Sequence, residues 1–299
     1  MYFPVAGIEV SPWVPPAVAF GISLVTSMAG VSGAFLLLPF QISVLGFTTP
    51  AVSATNHVFN VVGIPSAVYR YVREGRMVWP LTAAVIAGTV PGVIAGVLVR
   101  VRYLPDPRHF KAFVGAVLLY MAWRLMRELV VGIRTPGPGG RSDTPRAVAP
   151  VTIGEVRWSR IGYEFAKHQY HVHPASIAAL SFVVGLVGGT YGIGGGSILA
   201  PYFVSLLSLP VYTIAGAVLM ATFATSATAV LFSLAIAPLY PGQAVAPDWR
   251  LGLLFGIGGV VGMYCGARMQ RWVPGRPLKA MLLLCVVVPA VRYLVGWLR

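Results

Sequence analysis

Charge is scarce in this chain: Asp, Glu, Lys and Arg make up 10% of its 299 residues, where soluble domains carry about 25%. So few charges cannot cover a water-facing surface, which excludes a soluble globular enzyme. Acids are scarcest. Glu9, Glu74, Asp106, Glu128, Asp143, Glu155, Glu164 and Asp248 are the only eight, and all fall in loops, tails or at the ends of apolar runs. A carboxylate proton relay, a cation pathway and a carboxylate metal site inside a membrane are thereby excluded. Cysteine is nearly absent: Cys265 and Cys285 both sit within apolar runs and read as reduced and structural. His168, His171 and His173 have no Cys or carboxylate at ligand spacing, so neither metal nor cofactor is expected. The N-terminus, 1–13, lacks the basic start of a removable signal and reads as a tail.

What is present is hydrophobic surface, at 57% of residues. That excludes disorder and leaves a polytopic membrane protein in a lipid bilayer. The net charge of +14 would point to nucleic acid in a soluble domain. Here the basic residues flank apolar runs as anchors, so no nucleic-acid partner is expected.

The apolar runs are 14–46, 51–69, 77–99, 112–133, 175–209, 212–237, 251–267 and 280–298. Most have the roughly 20 residues a spanning helix needs. Two are too long for one straight helix, and each is interrupted by glycine: Gly30-Val31-Ser32-Gly33 and Gly192-Ile193-Gly194-Gly195-Gly196. Each reads as two half-helices joined by bent backbone. Between the halves of the chain lies a polar, turn-rich linker, 134–173. Its segments Val156–Phe165 and Tyr170–Val172 predict a small β-hairpin turning near Lys167 and His168.

The chain is duplicated. Gly30, Gly33, Leu37 and Pro39 match Gly192, Gly195, Leu199 and Pro201 at one offset. Trp79, Leu81, Gly88, Gly92 and Gly96 match Trp249, Leu251, Gly258, Gly262 and Gly266 at another. The repeats are 14–133 and 174–299. If each broken run crosses once, the repeats are parallel and the basic residues divide 14 to 8; if each enters and returns on one side, the preferred reading, each repeat crosses three more times, an odd number that inverts the second repeat. Loops 70–76, 124–167 and 268–279 then share one side with 15 of the 22 basic residues, and the linker is cytoplasmic. The expected fold is all-α: two inverted repeats, each a broken-helix hairpin plus three transmembrane helices, with the β-hairpin in the linker.

Paired breaks at matching positions point to a transporter's binding site. Non-helical backbone survives at membrane depth only against protein or a watery cavity. A restarted helix offers free N–H groups and a partial positive charge, and glycine lets an anion approach them. The candidate substrate-binding residues are Gly30, Ser32, Gly33, Gly192, Gly194, Gly195, Gly196 and Ser197, with Asn56, Asn60, Thr222 and Thr225 on the following helices. His57 is the one ionisable residue well inside a full span and the candidate for proton coupling. Plainer readings remain open at this point. The glycines can serve close helix crossing, the asparagines interhelical hydrogen bonds, and His57 can stay neutral. The Gly88/Gly92/Gly96 and Gly258/Gly262/Gly266 faces predict close packing within the chain or across a homodimer.

The pattern Gly185-x2-Gly188-Gly189-x2-Gly192-Ile193-Gly194-Gly195-Gly196-x4-Pro201 resembles the hallmark of the sulfite exporter TauE/SafE family, the TSUP transporters. Ala54-Thr55-Asn56, the basic turn Tyr71–Met77 and the glycine-rich helix before residue 99 resemble it too. The first glycine motif departs from the pattern at Ser32 and Ala34. The resemblance implies a non-enzymatic inner-membrane transporter of small sulfur-containing or organic anions such as sulfite, sulfoacetate or another sulfonate, working by alternating access. A passive anion channel and a membrane scaffold acting through its linker are the alternatives.

Overall fold

The computed structural model describes residues 1–28, 32–73, 75, 77–131, 152–157, 160–165, 168–205, 209, 211–269 and 275–298. Its elements are β1 (Tyr2–Phe3), β2 (Ile8–Glu9), α1 (Val14–Met28), α2 (Ala34–Ser43), α3 (Ala51–Gly63), α4 (Pro65–Arg73), α5 (Trp79–Arg102) and α6 (Pro107–Val131). There follow β3 (Thr152–Arg157), β4 (Arg160–Phe165), β5 (His168–Val172), α7 (Pro174–Tyr191), α8 (Gly196–Ser205), α9 (Val211–Ile236), α10 (Trp249–Met269) and α11 (Gly275–Leu298). Helices α5, α7, α9, α10 and α11 are long and apolar enough to cross a membrane, and α1 and α2 are shorter apolar helices. The fold is all-α and polytopic.

Each broken run forms two helices of unequal length, α1 and α2 in repeat one and α7 and α8 in repeat two. In the second repeat the left-handed turn comes only at Gly192, so α7 has 18 residues and α8 ten. The first full span of repeat one is split. Proline has no N–H to give and disfavours helix in the residue before it, so the helix is interrupted at Ile64–Pro65, between α3 and α4.

Helix directions can be read from the close contacts. A Cβ placed on Gly88, Gly92 or Gly96 of α5 would collide with Ala178, Phe182 or Leu186 of α7 in that order, so α5 and α7 run parallel. Gly258, Gly262 and Gly266 of α10 meet Pro16, Phe20 and Leu24 of α1 in the same way. Thr55 bonds Asp248, Gly252 meets Val58 and Gly256 meets Val62, which makes α3 parallel to α10. Asn60 bonds Ser226 and Tyr71 packs on Gly216, which makes α9 antiparallel to α3–α4. α9 ends beside α5, where Ile236 packs with Val93, Val97 and Val101. The leading half-helix of repeat one therefore runs with α10 and that of repeat two against it. The repeats are inverted, and each sends its leading half-helix onto the other's glycine face.

One end of the bundle carries the linker sheet, whose Tyr163 hydroxyl lies 3.0 Å from Thr213 Oγ1 near the start of α9. The opposite end carries the β1–β2 hairpin. There Asp248 accepts from the Ala6 and Leu251 N–H groups, capping α10. Among the described residues it is the only buried carboxylate. The linker holds a three-stranded antiparallel sheet, β3-β4-β5, in place of the single expected hairpin. Segment 156–165, read as one strand, is divided: Arg157 pairs with Arg160 across a two-residue connection. Hairpins of that length are signalled by Asn-Gly or Asp-Gly, and Trp158-Ser159 carries no such signal. The expected turn near Lys167 and His168 falls between β4 and β5, where Phe165 pairs with His168; Lys167 itself lies outside the described residues.

Candidate functional site

The second break is built from glycines that no other residue could replace without strain. Gly192 and Gly194 have φ of +98° and +68°, left-handed values that cost residues with a Cβ. Gly192 closes α7 by donating its N–H to Gly188 O at 2.8 Å. A Cβ on it would meet Ser53 O, and one on Gly194 would meet the Thr222 methyl and Ser226 Oγ. Gly195 O then accepts from the Ile198 and Leu199 N–H groups, and α8 restarts at Gly196. In the first break Gly30 lies outside the described residues. Ser32 Oγ accepts from the Ala34 N–H at 3.3 Å, and Gly33 O accepts from the Leu36 and Leu37 N–H groups as α2 restarts.

Asn56 joins the two breaks. Its Nδ2 donates to Ala34 O and to Gly192 O, both at 2.9 Å, while its Oδ1 accepts from Gln41 Nε2 at 3.1 Å. One turn on, Asn60 Nδ2 donates to Ile193 O at 3.1 Å and to Ser226 Oγ at 3.3 Å. His57 Nδ1 lies 3.2 Å from Ser226 Oγ. The Gly189 backbone stands beside the ring, yet Nε2 has no partner of hydrogen-bonding geometry. Every residue from Ala51 to Asn60 is buried, which explains a polar helix at membrane depth: its side chains satisfy backbone groups freed by the breaks.

The sequence-predicted residues do not all share one role. Gly33, Asn56, His57, Asn60, Gly192 and Gly194 come together at this junction. The Thr222 methyl faces Gly194, but its hydroxyl donates to Val218 O within α9, as the Thr225 hydroxyl does to Ala221 O. Neither hydroxyl proton is free for a ligand in this conformation. Gly195 faces Thr89, Leu199 and Val184 rather than α3. Gly196 and Ser197 are the first two residues of α8.

Sequence reasoning missed Gln41, Ser53, Tyr191 and Ser226. Ser53 Oγ donates to Thr190 O at 3.0 Å, and the Tyr191 hydroxyl donates across the repeats to Phe35 O at 2.8 Å. Gln41 was findable as the one amide side chain in an otherwise apolar half-helix, because such a group needs a partner.

The homodimer expectation is corrected by the glycine faces. Gly88, Gly92 and Gly96 lie against α7 backbone and Gly258, Gly262 and Gly266 lie against α1. Both surfaces are consumed within one chain and offer nothing to a second copy.

Comparison with curated proteins and with solved structures gives no match. The family model for sulfite exporter TauE/SafE matches residues 16–293. The two glycine breaks and the junction between them lie within that span, and the chain belongs to the sulfite exporter TauE/SafE family of membrane transporters.

Proposed function

We propose that the protein is a secondary transporter that moves sulfite, sulfoacetate or another small sulfonate or organic anion by alternating access. The anion would be held at the junction of the two breaks. One observation carries this reading: a single side chain, Asn56, donates to both Ala34 O and Gly192 O. That side chain brings the start of α2 and the end of α7 to one buried place between the repeats, and in this reading the N-terminal ends of α2 and α8 open there. Two such ends would present N–H groups and partial positive charge to the same point. The backbone of Gly30–Gly33 and Gly194–Ser197 supplies the donors in this reading. Asn56, Asn60 and Ser226 form the frame that keeps them oriented. His57, with its unpartnered Nε2, is the proposed proton-coupling group.

The proposed organisation is a tail (1–13), repeat one (14–133), a linker (134–173) and repeat two (174–299). The linker end carries most of the basic loops and is proposed to be cytoplasmic, with the protein in the inner membrane.

Reconstitution into liposomes tests the mechanism. Uptake of labelled sulfite should saturate and should be accelerated by unlabelled sulfite inside. Flux that rises linearly with concentration and ignores the opposite side would refute alternating access and indicate a passive channel.

A further inference from the structure

A second polar cluster lies at the end of the bundle opposite the linker sheet. Arg100, in the last turn of α5, is 1% exposed. One terminal nitrogen donates to Leu104 O and the other to Thr48 O at 2.9 Å. Phe110 covers the guanidinium, 3.6 Å from ring centroid to Cζ. No carboxylate among the described residues pairs with it. Asp106, the nearest acid along the chain, accepts from the Arg108 N–H and faces His109 Nδ1 at 3.5 Å. Arg100 Nε has no partner among the described residues.

A guanidinium cannot shed its proton to escape burial, and two carbonyl oxygens satisfy its geometry without neutralising its charge. A buried charge without a counter-charge is strongly disfavoured. Two further buried orphans lie at this end of the bundle among the described residues. Thr49 Oγ1, one residue beyond the Thr48 carbonyl, is buried without a partner, and so is Gln243 Oε1. Ala244, next to Gln243, accepts from the Ala51 N–H and ties that loop to the same end.

We propose that Arg100 and Thr49 form a binding site for a small inorganic anion at the junction of the 44–50 loop with the end of α5, separate from the helix breaks. Arg100 Nε and the Thr49 hydroxyl supply the donors. The chemistry suits chloride as a resident counter-ion or the transported sulfur oxyanion as it passes the bundle end.

The test is the thermal midpoint of the purified full-length protein in gluconate at fixed ionic strength, titrated with chloride and separately with sulfite. The wild type should show a saturable rise with at least one of them. Arg100→Met removes the charge and should abolish that rise. Arg100→Lys keeps the charge without the fork and should need about tenfold more anion. Equal responses to both anions identify a counter-ion site, and a response to sulfite at far lower concentration identifies a substrate station; either supports an anion site. The response should persist in Ser197→Asp, which alters only the helix-break region, so failure there and failure here are distinguishable. A wild-type midpoint flat in both anions, or an Arg100→Met curve that follows the wild type, would overturn the proposal. If Arg100→Met does not fold, an unchanged half-saturating concentration in Arg100→Lys overturns it.

Discussion

Asn56 holds the Gly192 carbonyl at 2.9 Å across the two repeats. The bond is possible because Gly192 turns left-handed at the end of α7 and leaves its carbonyl outside the helix ladder. The same amide holds Ala34 O at the restart of α2. One residue thus ties the restart of α2 to the Gly192 carbonyl, which lies outside the helix ladder at membrane depth.

Asn56→Leu should therefore be among the most damaging single changes. It removes three hydrogen bonds and orphans the buried Gly192 carbonyl and the Gln41 amide. At about 1–3 kcal/mol for each orphaned group, the expected loss is several kcal/mol. The thermal midpoint of the purified variant checks this; a midpoint within a degree or two of the wild type would contradict the tie.

Glycine substitutions should separate by backbone conformation. Gly192→Ala and Gly194→Ala place a Cβ at positive φ and into Ser53 O or the Thr222 methyl, so both should cost about 1–3 kcal/mol or more. Gly195→Ala meets only the tips of Thr89 and Leu199, at 3.2 and 3.3 Å, and should fold nearly as well as the wild type. Equal midpoints for all three variants would show that the break is not held as described.

The breaks were legible in the sequence because glycine clusters at matching offsets have few other causes. The inversion was legible only in part: whether each broken run crosses or returns decides between parallel and inverted repeats, and the basic loops divide almost equally in the two cases. What could not be read was which surface each element meets. The Gly88/Gly92/Gly96 stripe announces a close neighbour but not its identity, and that neighbour proves to be the leading half-helix of the other repeat. Thr222 and Thr225 looked like ligand donors, yet a helical threonine can satisfy its hydroxyl on its own preceding turn, as both do here. Ser226 escaped because its role depends on Asn60 and His57, which reach it from a distant helix.

The glycine stripes predict a folding defect rather than a change in assembly. Gly92→Ile or Gly262→Ile drives a branched side chain into the backbone of α7 or α1 and should abolish recovery of folded protein. A dimer seam would instead leave a folded monomer. Size-exclusion profiles of the purified variants distinguish the two outcomes.

The linker sheet should report on itself through Tyr163. Burial pushes this phenol up to about 12, from an ordinary value near 10. Its neutral form is favoured in the folded protein, so its contribution to stability is intact below about pH 10 and is lost as pH rises from about 10 towards 12. Tyr163→Phe also forfeits the contact with Thr213, at about 0.5–1.5 kcal/mol, and should flatten the alkaline fall in thermal midpoint. The same alkaline slope in wild type and variant would contradict the burial of this group.

The central claim is that the anion sits on the restarted helices at the break junction, and charge placed there tests it most directly. An aspartate at position 197, in the first turn of α8, suits the helix dipole and should not unfold the helix, but its negative charge competes with the anion for the same N–H groups. Sulfite exchange should be measured in liposomes containing the wild type, Ser197→Asp and Ser197→Asn, with thermal midpoints confirming folded protein. The account predicts exchange lost by a factor of about ten or more in Ser197→Asp and largely kept in Ser197→Asn. Wild-type exchange in folded Ser197→Asp would contradict it.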